Sequence, residues 1–510
     1  MKHITLIRPP IVSSVNSFSA PVTPPLALAY LESSLEHNGF EVTTLDTVGE
    51  AIDKITIMED PECRVRGLTI EESIRRIPKN TEMIGISCMF TQEWLFIQMF
   101  VEAIAKAFPD VPVVLGGEHV SAMPEYILNT CPGVTICALG EGEETIVDLA
   151  QNYPEKAEEI QGIVYRDEDG KPVRTEGRKR IKDIENIPRP NWNQLPIDAY
   201  LTSPFGHGLN AGRTMPLLAT RGCPFQCTFC SNKDMWDLRY YMRSPSDVVE
   251  EIEEYIQKYQ IDNVDFYDLT AIIKKSWIME FGGLLKEKKL NISWSLPSGT
   301  RSEALDDEVT QIMGETNCKY LVYAAESGSE AIQKYIKKEI KLDKMIDSMK
   351  GAKQNGLTLR CNLMLGFPKE TRSDVWKTLI FQVKLAFIGV DDVPLYMFSA
   401  YPGTELFDYL VETKKIPAID DDYFRSLLCQ MDLTKSSNYC ENLGEKELAF
   451  YRFIGMSMFY SLSYLLYPQR IYRSLKNIFF TKQTDTVFEQ RLMEFLLTKK
   501  SMSLKNATAE

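Results

Sequence analysis

The sequence lacks an excess of positive charge, an apolar leader segment and an even set of cysteines. Lys plus Arg number 57 against 71 Asp plus Glu, a net charge of −14, which argues against a nucleic-acid partner because such a partner needs a basic face. The start, MKHITLIRPP, contains no apolar core of a signal peptide, so we expect no export and a cytoplasmic location. Eleven cysteines in such a chain favour metal or redox chemistry over a disulfide framework.

What the sequence does contain is the composition of a folded globular chain. Apolar residues make up 44% of the chain and charged residues 25%, proportions that exclude a disordered or fibrous protein. Its 510 residues exceed one ordinary hydrophobic core, so we expect two or three domains.

Short apolar runs in the first 150 residues alternate with segments of helical periodicity. A helix is predicted to begin near Pro25, and the strand candidates lie at 4–7, 41–45, 83–87, 111–115 and 135–139. Apolar strands that alternate with helices predict a parallel, doubly wound α/β sheet. Residues 46–80 are predicted to form an insertion with its own helix, because Thr69 and Glu72 have the spacing of a capping box.

Small and polar residues follow the ends of three of these strands, where a parallel sheet binds its ligand. They are Ser87, Gly116, Gly117, His119, Gly140 and Glu141. Glycine at such a position lets the backbone approach a large flat ligand, although the same glycines also suit tight turns. The residues alone leave both alternatives open.

The run Gly116-Gly117-Glu118-His119, followed by SAMPE and then LGEGEET, resembles the cobalamin-binding domain that precedes many radical S-adenosylmethionine (radical SAM) enzymes. The resemblance implies that these strand-end residues bind cobalamin. The cobalt-ligating motif Asp-x-His-x-x-Gly is missing, since the residue two beyond Asp46 is Val48, so the resemblance implies cobalamin without a histidine lower ligand. The simpler alternative for His119 is a loop histidine hydrogen-bonded to the backbone.

Three cysteines lie close together after a strand predicted at 215–220. Cys223, Cys227 and Cys230 have the spacing C-x3-C-x2-C, which places three thiolates on one loop. Thiolates are the ligands of iron–sulfur clusters, and three ligands for four irons leave one iron open to a substrate. Structural zinc is the main alternative, but it needs four protein ligands, and neither His207 nor Cys318 gives a recognisable fourth.

The triplet, with Phe229 just before its last cysteine, resembles the signature of the radical SAM superfamily. The resemblance implies a 4Fe-4S cluster whose open iron binds S-adenosylmethionine. It also implies formation of a 5′-deoxyadenosyl radical that abstracts hydrogen from a small-molecule substrate. The electron would come from a donor such as flavodoxin or ferredoxin.

The sequence beyond the triplet predicts six βα units, three-quarters of a TIM-type barrel. The strand candidates are 215–220, 263–267, 291–296, 320–325, 358–365 and 392–398. Asp268, Ser295, Arg301 and Glu326 lie at or near strand ends, where an Asp or Ser can also be only the N-cap of the next helix. Glu326-Ser-Gly-Ser, Leu365-Gly-Phe-Pro and Pro402-Gly-Thr resemble radical SAM motifs, which implies that the strand-end residues bind S-adenosylmethionine.

The last hundred residues read as helical. Seventeen uncharged residues separate Arg452 from Arg470, and the segment from Arg452 to Lys482, both included, contains five basic and no acidic residues. One interpretation is a buried helix that packs on the barrel. The other is an amphipathic segment that makes a peripheral contact with a membrane, or an apolar wall for the substrate. The aromatic content resembles the branch with the anaerobic magnesium-protoporphyrin cyclase and hopanoid-modifying enzymes, which implies a lipid, isoprenoid or tetrapyrrole substrate.

The expected fold is therefore an α/β chain in four parts: a cobalamin-binding domain over 1–150, a linker over 151–205, a radical SAM core barrel over 206–410 and a helical domain over 411–510. The expected function is methylation of an unactivated carbon; the alternatives are a radical cyclase or rearrangement enzyme and, more remotely, a non-catalytic metal-binding protein.

The other eight cysteines are expected to be small core residues: Cys63, Cys88, Cys131, Cys137, Cys318, Cys361, Cys429 and Cys440. Cys88 alone lies at a ligand-facing strand end.

Overall fold

The structure is a computed structural model that describes residues 2–17, 20–59, 61–271, 273–428, 438–481, 484, 486 and 488–496. Seven of the eight scattered cysteines are buried, as expected, and Cys429 lies outside the described residues.

The N-terminal part is built on a sheet of seven strands in the order β10-β9-β8-β7-β6-β1-β3. Its strands and helices, with those of the insertion, are β1 (His3–Arg8), β2 (Ile11–Ser13), α1 (Leu26–His37), β3 (Glu41–Asp46), β4 (Ile55–Met58), β5 (Cys63–Arg66), α2 (Ile70–Arg76), β6 (Met83–Ser87), α3 (Trp94–Ala107), β7 (Val113–Gly116), α4 (Glu118–Ala122), α5 (Pro124–Thr130), β8 (Ile136–Ala138), α6 (Glu143–Asn152), β9 (Ile163–Arg166) and β10 (Pro172–Arg174). Strands β3, β1, β6, β7 and β8 are parallel, which confirms the predicted doubly wound sheet.

Alternate strand residues pack on opposite faces of this sheet. On one face Ile84 and Leu115 meet the apolar side of α3, and on the other Leu6 and Val114 meet α1 and α6. Both faces are buried, which explains why the strands read as continuous apolar runs.

Two segments around this sheet differ in how well the sequence predicted them. The insertion contributes β4 and β5, which form a three-stranded antiparallel sheet with β2, and it contains α2, whose capping box of Thr69 and Glu72 is present. The 151–205 stretch, expected as a linker, contributes β9 and β10 as antiparallel strands at the sheet edge. The sequence did not predict them because they are short, four and three residues long, and lie within a charged, proline-rich segment.

The second sheet contains six parallel strands in the order β11-β14-β15-β16-β17-β18, which confirms the predicted partial barrel. The elements of this region are α7 (Ile197–Leu201), β11 (Thr214–Leu217), β12 (Thr220–Arg221), α8 (Asn232–Trp236), β13 (Tyr241–Met242), α9 (Pro245–Tyr259), β14 (Asn263–Phe266), α10 (Lys275–Glu287), β15 (Ser293–Thr300), α11 (Asp307–Glu315), β16 (Cys318–Glu326), α12 (Glu330–Tyr335), α13 (Leu342–Gln354), β17 (Thr358–Leu365), α14 (Arg372–Ile388) and β18 (Leu395–Met397). Outward strand residues such as Val264 and Leu321 are fully buried under these helices.

The C-terminal helices pack against the open edge of the barrel and against the N-terminal part. They are α15 (Glu405–Glu412), α16 (Asp421–Leu427), α17 (Glu445–Leu466) and α18 (Gln469–Lys476), and residues 488–496 are also helical. Helix α17 packs beside α14 and over β18, where Arg452 Nε donates to the carbonyl oxygen of Leu395 at 3.1 Å. No helix among the described residues is long and apolar enough to cross a membrane.

Candidate functional site

A cavity of about 290 Å³ lies between the carboxyl edge of the seven-stranded sheet and the mouth of the barrel. The sheet supplies Ser87, Gly116 and Gly140, and the barrel supplies Leu218 and Gly222. Most of the wall is apolar or glycine, so a large flat ligand could lie against backbone there.

Of the six strand-end residues predicted for cobalamin, five line this cavity and His119 does not. His119 is buried, its Nδ1 lies 3.1 Å from the hydroxyl of Thr91, and its ring packs against Trp94 and Phe424. Burial lowers the pKa of His119 to about 3, so the imidazole is neutral. The prediction that His119 faces the ligand is corrected: it is a core histidine, as the simpler alternative proposed, although its partner is a hydroxyl.

Gly117 shows why glycine is required at one of these strand ends. Its φ is +127°, and a Cβ atom there would lie 2.6 Å from the carbonyl oxygen of Cys88. Cys88 is buried behind Gly117 and does not line the cavity, and burial raises the pKa of its thiol well above the usual value. Gly117 therefore allows two strand ends to meet closely, which forms the floor of the cavity.

Buried ion pairs at the rim join the two halves of the molecule. Glu141 pairs with Arg180 at 2.7 Å and with Arg221 at 3.2 Å, and Arg221 also pairs with Glu143 at 2.6 Å. Burial opposes ionisation of Glu143, but the charge of Arg221 outweighs it and holds the pKa of Glu143 below its usual value. Because Arg221 lies two residues before Cys223, this rim cluster links the cavity to the cysteine loop.

The three cysteines lie on the loop between β12 and α8. The backbone N–H of Thr228 donates to Ile336 at 3.0 Å, its carbonyl accepts from Leu406 at 3.0 Å, and Asn232 donates to the carbonyl of Cys223 at 2.9 Å. Leu406 follows the predicted Pro-Gly-Thr motif, so that motif supports the loop.

The environment of the thiols favours their neutral form until a metal replaces the proton. Burial raises the pKa of Cys223 and of Cys227, although the nearby cation of Lys338 offsets part of this rise. Burial also raises the pKa of Cys230 to about 12. Metal binding by these thiols must therefore release protons.

The donor set fits an iron–sulfur cluster better than a single ion. Among the residues that the structure describes, no three His, Cys, Asp or Glu side chains are arranged to hold one metal ion. Thiolates around one zinc lie roughly 4 Å apart, because each Zn–S bond is about 2.3 Å. Thiolates that bind different irons of one cluster are farther apart, which suits three cysteines spread over an eight-residue loop.

Three of the residues predicted for S-adenosylmethionine lie together beside this loop. Arg301 stacks over the ring of Phe225, between the first two cysteines, at 3.7 Å, and it donates to the carbonyl of Lys338 at 3.0 Å. Lys338 Nζ lies 3.0 Å from Glu326 and 5.9 Å from the ring centre of Phe229. The structure thus brings Phe229, Arg301 and Glu326 into one group.

Lys338 was missed by the sequence analysis, although it holds this group together. It is buried, and although burial opposes its charge, Glu326 raises the pKa of Lys338 above the usual value. No motif marks Lys338, which lies in a charged turn between Lys337 and Glu339, both with positive φ.

Asp268 and Ser295 have structural partners of their own. Asp268 accepts hydrogen bonds from the backbone N–H of Ala219 at 3.3 Å and from the hydroxyl of Thr220, and burial raises its pKa to about 6. It does not cap a helix; it ties β14 to the segment that leads into the cysteine loop. Ser295 is buried inside the barrel, 3.5 Å from Asn263, beside Asp265, whose pKa burial raises to about 7.

Other residues around the cavity were also missed. Tyr30 and Trp236 line it, and Arg221 lies over both rings, at 5.0 and 6.0 Å from their centres. Both aromatic residues belong to helices on different domains, so no local pattern could have paired them.

Two family models match the chain, and they match the two halves of this site. The model described as the B12 binding domain matches residues 15–150, and the model described as the Radical SAM superfamily matches residues 217–381. The first range contains the sheet edge, and the second contains the cysteine loop and most of the barrel.

Curated relatives extend over most of the chain. An uncharacterized methyltransferase of Pyrococcus horikoshii is 31% identical over 415 residues, which cover 80% of this chain and 83% of the relative. The anaerobic magnesium-protoporphyrin IX monomethyl ester cyclase of Rubrivivax gelatinosus is 25% identical over 308 residues, 59% of this chain and 54% of the cyclase.

Among solved structures, the cobalamin-dependent S-adenosylmethionine radical enzyme OxsB, with aqua-cobalamin and S-adenosylmethionine bound, has the same fold. The TM-score is 0.66 at 16% identity, and the match covers all of this chain and 80% of OxsB. The likeness therefore includes the relative placement of sheet, barrel and C-terminal helices.

Proposed function

Because the chain belongs to the radical SAM superfamily and carries a B12-binding domain, we propose that it is a cobalamin-dependent enzyme that methylates an unactivated carbon of a small molecule. The family implies a 4Fe-4S cluster, S-adenosylmethionine and cobalamin as cofactors. When bound, these groups supply a 5′-deoxyadenosyl radical and a transferable methyl group.

The observation that carries the proposal is that the sheet edge and the segment before the cysteine loop share one cavity. Thr220, Arg221 and Gly222 belong to its wall, and Cys223 is the next residue in the chain. A substrate carbon between the two halves could therefore meet both chemistries without leaving the site, which is what radical formation followed by methyl transfer requires.

We assign roles to the site residues from this arrangement. Cys223, Cys227 and Cys230 would hold the cluster, while Phe229, Arg301 and Glu326, steadied by Lys338, would bind S-adenosylmethionine. Asp268 and Ser295 would position the strands around them rather than touch the ligand. On the sheet side, cobalamin would lie against Ser87, Gly116, Gly117, Gly140 and Glu141.

The roles that we assign follow the order of the domains along the chain. We assign residues 1–150 to cobalamin, 206–410 to the radical chemistry, and 151–205 and 411–510 to joining and covering these two parts. Small-molecule substrates and a reducing partner such as flavodoxin or ferredoxin fit the family. The acidic balance of the chain supports the absence of a nucleic-acid partner.

Product analysis distinguishes methyl transfer from a cyclisation without it. The reconstituted enzyme is incubated without oxygen with S-adenosylmethionine, cobalamin, a low-potential reductant and a small-molecule extract of the source cells. We expect S-adenosylhomocysteine together with 5′-deoxyadenosine, and label from methyl-labelled S-adenosylmethionine in a new product. Formation of 5′-deoxyadenosine and an unlabelled product, without S-adenosylhomocysteine, would reject methyl transfer in favour of the cyclase reaction. Cys230→Ala is the control that should form no 5′-deoxyadenosine and no labelled product.

A further inference from the structure

An exposed apolar strip runs along the outer face of two neighbouring helices. It consists of Trp376, Ile380 and Phe387 on α14 and of Phe450, Phe453 and Leu465 on α17, all exposed. Phe453 is 71% and Leu465 76% exposed, and a contiguous exposed apolar patch of this kind is typical of an interaction surface.

The two helices lie side by side and run in the same direction. The ring of Trp376 is 5.9 Å from that of Tyr451 near their starts, and the hydroxyl of Tyr467 donates to the carbonyl of Phe387 at 3.0 Å near their ends. Gly455 permits the close approach, because a Cβ there would lie 2.6 Å from Leu379. The strip is therefore continuous, and at about 1.5 Å per residue it is roughly 20 Å long.

The charges along the strip are mostly positive; near its start, Asp374 pairs with Lys377 and Glu447 pairs with Arg372. Lys377 and Lys384 are exposed on α14, and Lys476 is exposed on α18, the helix that follows α17. The sequence has no acidic residue from 375 to 390 or from 448 to 481, although the whole chain carries a net charge of −14. The strip is thus the apolar centre of a locally basic face.

The buried sides of these helices hold two of the other basic residues, and Arg473, half-buried on α18, pairs with Glu489 at 3.6 Å. Arg452 donates to the carbonyl of Leu395, and Arg470 donates to the carbonyls of Val390 and Gly389, so both hold the C-terminal helices on the barrel. Lys482 lies outside the described residues. The helices therefore have one face made for packing and another that is apolar, basic and exposed.

We propose that this face docks on the surface of a lipid bilayer that contains anionic phospholipids. An apolar strip flanked by lysines matches both the acyl boundary and the negative headgroups of such a surface. A second copy of the chain is a poorer match, because a symmetric contact through this face would set lysines against lysines. The proposal goes beyond the reaction and does not depend on it.

Vesicle binding by the full-length reconstituted protein tests the proposal. Sedimentation with vesicles of phosphatidylcholine alone is compared with sedimentation with vesicles that also contain phosphatidylglycerol. We expect the anionic vesicles to bind the protein roughly thirtyfold more tightly at low salt, since Lys384 and Lys476 are exposed whereas the charge of Lys377 is paired with Asp374. The advantage should fall as salt is added.

Trp376 gives an independent readout, because it lies on the strip and is 49% exposed, whereas Trp94, Trp192, Trp277 and Trp294 are buried. Brominated lipid should quench part of the tryptophan fluorescence, and Trp376→Phe should abolish that part. Phe453→Glu with Leu465→Glu should abolish vesicle binding without changing the melting temperature. The matched control is Ile57→Glu with Met99→Glu, which alters two exposed apolar residues elsewhere and should leave binding intact.

Three results would overturn the proposal. The first is equal sedimentation of the wild type and the Phe453→Glu, Leu465→Glu variant. The second is equal binding to neutral and anionic vesicles. The third is a wild type that forms dimers in solution without binding vesicles, while the variant stays monomeric, which would make the strip an interface between copies.

Discussion

The seven-stranded sheet and the six-stranded barrel both end their parallel strands near one another, yet they present opposite chemistry there. The sheet edge offers small uncharged groups, Ser87, Gly116 and Gly140, beside the carboxyl group of Glu118 and the rim cluster around Glu141. The barrel edge offers paired charges, Glu326 with Lys338, together with three ionisable thiols.

The difference shows how one cavity can serve two kinds of ligand. A large, flat cofactor needs room and backbone contact, which glycine provides at little electrostatic cost. A cluster and a charged sulfonium ligand need counter-charges held in fixed positions, and buried pairs provide them only when every partner is present. The barrel edge should therefore be the more sensitive to single substitutions.

The largest effect is expected on the barrel side. Cys227→Ala should reduce iron per chain after anaerobic reconstitution to background, because three thiols are the minimum ligand set for the cluster. Cys361→Ala, which changes a buried cysteine in the barrel wall, should keep the full iron content. A complete cluster in a variant lacking any one of Cys223, Cys227 and Cys230 would contradict the ligand assignment.

The rim cluster, which joins the two sides, should be the next most sensitive feature. Arg221→Met leaves Glu141 and Glu143 without their shared partner in a buried position, so we expect the free energy of unfolding to fall by about 3–5 kcal/mol. Urea denaturation measures the change. Arg239→Met, at an exposed pair with Asp237, is the control and should cost less than about 1 kcal/mol. Equal losses of unfolding free energy in the two variants would show that the buried ion pairs of the rim cluster stabilise the protein no more than an exposed pair does.

A buried carboxyl group on the barrel side should give stability an unusual pH dependence. Burial raises the pKa of Glu370 to about 8, above its value in the unfolded chain. The protonated carboxyl group therefore makes its full contribution to the stability of the fold below about pH 4. This contribution is lost as the pH rises through 8. The stability of Glu370→Gln relative to wild type should therefore increase by about 2–3 kcal/mol from pH 6 to pH 8. Glu330→Gln, at an exposed residue, should show no such trend in parallel denaturation curves. A flat difference for Glu370→Gln would show that its carboxyl titrates normally.

The smallest effect is expected on the sheet side, where the backbone sets the shape. Gly117→Ala places a Cβ against the carbonyl of Cys88 at a positive φ, which should cost about 1–3 kcal/mol and weaken cobalamin binding in a visible-absorption titration. Gly283→Ala, in a helix with open space around it, should instead stabilise the protein by about 0.5–1 kcal/mol. Unchanged cobalamin binding by Gly117→Ala would mean that the cavity floor tolerates a side chain.

Patterns within short segments explain what could be predicted. Both sheets, the capping box at Thr69 and the cysteine triplet were predicted because apolar periodicity, cap spacing and ligand spacing are properties of neighbouring residues. The five strand-end residues at the cavity followed from the rule that parallel strands end at one edge. His119 was assigned to the same edge, but the direction of its side chain depended on Trp94 and Phe424, which the local pattern does not contain.

By itself, the sequence determined the order of strands and helices, the class of each sheet and the position of the thiols on one loop. Only the tertiary structure decided which charges meet. Arg221 and Glu141 are 80 positions apart, and Lys338, in a turn that has no motif, pairs with Glu326 on the far side of helix α12. The physical reason is that burial makes an ion pair strong or costly, and burial depends on how distant segments pack. The same packing leaves one face of α14 and α17 exposed to solvent, and this is the face that we propose binds a lipid bilayer.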